Sequence, residues 1–104
     1  MDHSNHVRLR PDELNESVLQ GAPIYGRDDE KISSIDHVQG TGEKAQVVFD
    51  VGGFLGIGAK RVSVQAGQLD VMRDEEGNVH AVTQMTEDQL KALPEHVETT
   101  MLGD

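Results

Sequence analysis

Apolar and polar residues alternate with a period of two in several short runs, and Val47-Val48-Phe49-Asp50-Val51 is the clearest. On a strand, Val47, Phe49 and Val51 project to one side and Val48 and Asp50 to the other. Val62 and Val64 repeat the pattern after a glycine-rich segment, so the two runs predict a central hairpin. Upstream, Gly21-Ala22-Pro23-Ile24-Tyr25-Gly26 predicts a short strand bounded by glycines, with Pro23 admissible only at an edge or a strand start. Ile32, Ile35 and Val38 mark a second strand, and their uneven spacing predicts a bulge or pivot near Ser33-Ser34. Leu69, Val71 and Met72 form a further run. Asp74-Glu75-Glu76-Gly77-Asn78 is then a loop in which Gly77 takes positive φ, and Val79 to Val82 form the last strand. Six short, closely spaced strands predict an all-β domain, a barrel or a compact sandwich.

The exit from the sheet carries a helix signal. Thr86 caps the backbone N–H of Gln89, and Gln89 reaches back to the Thr86 amide, a capping box. Met85 and Leu90 occupy the positions of a hydrophobic staple, Glu87 and Asp88 suit the positive end of the dipole, and Pro94 stops the helix. A helix this short is marginal alone, so Leu90 must dock on the strands. Residues 1–18 show no convincing period and read as a polar, flexible arm. The domain then covers residues 19–96, and 97–104 form a tail.

The chain has 104 residues, enough for one domain with a modest core. Tyr25, Phe49 and Phe54 are its aromatic residues, so aliphatic side chains must fill most of the interior. Nine basic against nineteen acidic residues give a net charge of −10, which repels phosphate backbones and disfavours direct nucleic-acid binding. The absence of cysteine removes disulfides, thiolate nucleophiles and cysteine-based zinc sites. Met1-Asp2-His3-Ser4-Asn5-His6 leads into no apolar run, so neither a signal peptide nor a membrane span is expected and a cytoplasmic location follows.

These residues carry a family resemblance. Gly21-Ala22-Pro23-Ile24-Tyr25, Glu30-Lys31-Ile32, Asp50-Val51-Gly52-Gly53-Phe54-Leu55-Gly56-Ile57-Gly58 with Val62 and Val64, and Met85-Thr86-Glu87-Asp88-Gln89-Leu90 with Pro94 resemble, in order, the PRC-barrel family. The likeness spans roughly residues 19–96, and the glycine segment is its most specific part. It implies a small six-stranded β-barrel with a short C-terminal helix. The family includes the cytoplasmic domain of the photosynthetic reaction-centre H subunit, a ribosome-maturation factor and many stand-alone bacterial proteins. A platform for protein contacts, without a general catalytic motif, is the function implied. Asp29 and Ser33 depart from the pattern, standing where many such sequences place glycine.

The candidate chemistry is sparse. Gly53-Phe54-Leu55-Gly56-Ile57-Gly58-Ala59-Lys60-Arg61 has the glycine spacing of a phosphate loop, but Ala59 replaces its lysine and strands flank it on both sides. A dinucleotide fingerprint fails because Arg61 replaces its third glycine. Gly52, Gly53, Gly56 and Gly58 are therefore read as structural turn glycines. The apolar members of this loop, Phe54, Leu55 and Ile57, are the candidate contact residues. Two arrangements stay open for them, a plug for one end of the barrel or a surface for a partner or a second copy. His3, His6, His37, His80 and His96 are too scattered for a zinc set, and Asp28-Asp29-Glu30 and Asp74-Glu75-Glu76 lack the alternation of a calcium loop. No catalytic residue, metal ligand or cofactor is assigned.

Three function classes follow. The leading one is a non-catalytic interaction or assembly module, self-associating as a homodimer or bound to an unidentified protein. A ribosome- or RNA-processing-associated factor would have to act through a basic protein, given the charge. A small-molecule binder or enzyme would need a pocket with convergent polar groups.

Overall fold

The computed structural model describes residues 7–52 and 59–94. Its strands are β1 (Val7–Arg8), β2 (Pro23–Tyr25), β3 (Lys31–Gln39), β4 (Gln46–Val51), β5 (Lys60–Gln65), β6 (Asp70–Arg73) and β7 (Val79–Val82). Two short helices, α1 (Glu16–Leu19) and α2 (Glu87–Lys91), and 3₁₀ turns at Pro11–Glu13 and Ala66–Gln68 complete it. None of these helices is long and apolar enough to cross a membrane.

The strands form one mixed sheet in the order β1-β6-β7-β2-β3-β4-β5. All pairs are antiparallel except β2 with β7. This corrects the expected six-stranded barrel: the described residues form seven strands, and among them the sheet is open, with β1 and β5 at its edges. The additional strand is β1, whose two residues are both exposed and so leave no apolar pattern to read.

The nine-residue β3 joins the two halves. Its first part pairs with β2, from Lys31 opposite Tyr25 to Ser34 opposite Pro23, and its second with β4, from Ile35 opposite Phe49 to Gln39 opposite Gln46. The pivot therefore falls at the predicted place. Register shifts skip Ile32 on one side and Asp36 on the other. Strict alternation would put Ile35 and Val38, three residues apart, on opposite faces, and the extra residue at Asp36 returns both to the core. Where β3 leaves β4, the Ser33 hydroxyl donates to the Asp50 carbonyl at 2.6 Å and so satisfies an acceptor that the backbone ladder no longer reaches.

The β4–β5 hairpin has unbroken register from Gln46 opposite Gln65 to Val51 opposite Lys60. Val47, Phe49, Val51, Val62 and Val64 enter the core as their alternation predicts, beside Leu19, Ile24, Ile35, Val71 and Ala81. Helix α2 covers one end: Leu90 is fully buried, and the Thr86–Gln89 capping box forms with both hydrogen bonds, at 2.9 and 3.1 Å.

Residues 7–18, read from the sequence as an arm, supply β1, a 3₁₀ turn and most of α1. Leu14 is buried, and so is Leu19, the last residue of α1. Asn15 caps α1 by accepting from the Val18 N–H at 3.1 Å. Leu9 N–H donates to Val71 and Gly42 N–H to Leu14, while Arg73 holds Glu13 at 3.1 Å. The Arg10 backbone N–H, and then Arg73, hold the Glu13 carboxyl below its ordinary value. These anchors are mostly polar and single, which is why hydrophobic periodicity does not reveal them.

Two outcomes test this arrangement. Leu14→Ala lowers stability by about 2–4 kcal/mol in urea unfolding, as for other buried leucines, whereas a solvated arm would show almost no change. Gly77, at φ +87°, closes the β6–β7 turn beside an Asp74 carboxylate that accepts from Glu76 and Asn78 N–H. Gly77→Ala costs about 1–2 kcal/mol, read as a lower urea midpoint at unchanged slope.

Candidate interaction surfaces

The hairpin tip holds the sequence's principal site. Val51 and Lys60 are its last pair, and Gly52 follows at φ +74°, a conformation that glycine adopts without the Cβ clash. A Cβ at Gly52 would also stand 2.8 Å from Lys91 Cε. Lys60 Nζ donates to the Lys91 carbonyl at 2.8 Å, tying β5 to the end of α2. Gly52 thus sits at positive φ close to the Lys91 side chain of α2. Phe54, Leu55 and Ile57, with Gly53, Gly56 and Gly58, lie outside the described residues.

The outer face of β3, β4 and β5 carries a polar network that sequence reasoning did not assemble. Arg61 Nε donates to Asp50 Oδ1 at 2.9 Å and Nη2 to Oδ2 at 3.3 Å, a bidentate pair between residues directly opposite in the ladder. Arg61 Nη1 also lies 3.4 Å from Asp36 Oδ2, the carboxylate of the bulge residue, and His37 Nδ1 meets that same oxygen at 2.7 Å. The His37 hydrogen bond, with a lesser contribution from the Arg61 charge, holds the Asp36 carboxyl below its ordinary value against the opposing effect of burial. The shared outward parity of Asp50 and Arg61 was visible in the hairpin pattern. The approach of Asp36 was not, because it depends on the bulge.

Two clefts open on the other half. A cleft of about 570 Å³ lies among Gln20, Pro23, Tyr25, Asp74, Asn78 and His80. The Tyr25 and His80 rings meet edge to face at 6.1 Å, and His80 is buried. Asp74 is engaged in the turn described above, and among the described lining residues the Tyr25 phenol is the one hydroxyl, with no thiol or amine. A smaller cleft of about 360 Å³ has Met72 and Val82 beside Arg8, Arg27, Asp29 and Asp70, with Arg8 paired to Asp70. Asp29 adopts φ +65°, the one non-glycine residue with positive φ among the described residues. Aspartate tolerates this region, so the departure from glycine at this position is accommodated.

His37 lies on β3 and His80 on β7, while His3, His6 and His96 are outside the described residues. Among the described residues no three histidine or carboxylate groups gather in a manner that would hold a metal ion. No protein-family model and no curated protein matches the chain.

The Asp36 network makes a pH prediction. A carboxyl depressed in the folded state adds stability above its ordinary value of 3.8, and that stability is lost as pH falls through the depressed value. In an NMR titration Asp36 should ionise below 3.8. His37→Ala should move the midpoint up most and Arg61→Gln less, and an unmoved midpoint in both variants would remove the network as its cause.

Proposed function

We propose that the chain is a non-catalytic protein-interaction module. The observation that carries this reading is the β4–β5 hairpin, held in unbroken register and braced by α2, whose connecting segment contains Phe54, Leu55 and Ile57. A hairpin whose strands are fixed in register holds both ends of its loop, and large apolar side chains on a loop so held suit a contact surface. The resemblance of the sequence to PRC-barrel proteins supports the same reading, since that likeness implies a platform for protein contacts.

The described polar groups also fit it. Arg61, Asp50 and Asp36 join strands, Asp74 shapes a turn, and Glu13 with Arg73 secures the N-terminal segment. Each has a structural task that a reacting group would have to abandon. The excess of acid on the chain directs the module toward protein partners rather than nucleic acid.

Affinity capture from native cell extract, with the Phe54→Asp, Leu55→Asp double variant beside the wild type, tests the proposal. The wild type recovers a defined protein or a second copy of itself, and the variant loses it while keeping its far-UV circular dichroism and urea midpoint. Equal recovery by a folded double variant would discard the loop as the contact surface.

A further inference from the structure

We infer that the smaller cleft, between the β1–β6 pair and the β2–β3 turn, binds a free α-amino acid with an apolar side chain. It is built of other residues than the apolar loop, and a small ligand held there is a function beyond protein contact.

Sheet parity builds the floor. Val71 and Ala81 stand opposite one another and enter the core, so Met72 and Val82, each one residue further along, turn to the outer face. Both are buried although neither belongs to the core cluster, and they line a cleft of about 360 Å³. That volume is at the lower end for small-molecule sites, and an aliphatic group laid on this floor leaves water.

The walls carry charge of both signs. On one side Arg8 of β1 pairs with Asp70 of β6, and the couple satisfies itself. On the other side Arg27 and Asp29 come from the turn after β2, and the exposed Arg27 guanidinium has no hydrogen bond or ion pair with any described residue. The turn keeps the two apart. Asp29 N–H donates to the Gly26 carbonyl at 3.0 Å, and the backbone at Asp29 takes φ +65°, which glycine holds without the Cβ penalty. Strain of this kind is kept where the side chain has a task. Asp29 has contacts of its own, but a carboxylate offers about four lone-pair sites and can accept a further donor.

An uncommitted guanidinium and a carboxylate above an apolar floor match a carboxylate and an ammonium on one carbon. Arg27 takes the ligand carboxylate through two parallel hydrogen bonds, Asp29 accepts from the ammonium, and the ligand side chain lies over Met72 and Val82. A zwitterion is neutral overall, so the net charge of −10 does not oppose it. A simple carboxylate meets that field and two aspartates, and a simple amine leaves Arg27 facing a like charge.

The test is a two-dimensional NMR titration of the full chain with L-leucine, beside isocaproate, which lacks the ammonium, and isopentylamine, which lacks the carboxylate. The expected result is saturable shifts of the Arg27, Asp29, Met72 and Val82 amides, with leucine bound roughly tenfold more tightly than either analogue. Arg27→Gln removes the advantage of leucine over the amine. Asp29→Asn, which keeps a residue tolerant of this φ, removes its advantage over the acid, and both variants retain the dispersed spectrum of the wild type. Absence of saturable shifts up to the solubility of leucine overturns the inference. So do shifts that both analogues reproduce at the same concentrations, or an affinity for leucine that both folded variants keep, and none of these results bears on the loop experiment.

Discussion

The constraint on which this fold depends is that β3 must serve two neighbours while keeping one apolar face. A regular strand of that length would pair along its whole course with the same partners and alternate strictly, and Ile35 and Val38 would then fall on opposite sides of the sheet. The extra residue at Asp36 restores both to the interior, and the second irregularity at Ile32 lets that side chain pack against the rim of the core. The same two shifts bend the strand, and increased local twist is the usual accompaniment of bulges. The halves on either side of β3 can then share Leu19, Ile24, Phe49, Val62 and Ala81 as one core. A small chain with few aromatic residues gains more from one shared core than from two faces each half covered.

Much of this was legible in the sequence, where the physical signal was local and repeated. The alternation over Val47 to Val51 and Val62 to Val64 predicted both the hairpin and its buried face, and the spacing of Ile32, Ile35 and Val38 predicted the pivot. The Thr86–Gln89 capping box likewise formed as read. The polar network and the seventh strand were not legible, because each depends on contacts between segments far apart in the chain. Asp36 meets Arg61 only after the bulge has displaced it, and Glu13 meets Arg73 only after β1 has paired with β6. A two-residue strand with both side chains exposed offers periodicity nothing to detect. Closure of the barrel was an inference from likeness, and the described strands form an open sheet instead. The principal candidate site, Phe54, Leu55 and Ile57, was chosen from composition and position, and the structure places the two ends of that loop.

The placement of the basic residues follows from the same economy of contacts. The chain has few cations for its acid, and several of them sit where segments cross without a continuous apolar seam. Arg8 joins β1 to Asp70 of β6, Arg73 holds the N-terminal turn, Arg61 spans three strands, and Lys60 ties the hairpin to α2. Exposed pairs of this kind contribute little energy individually. Their value lies in direction, since each fixes a segment whose hydrophobic contacts alone would allow sliding.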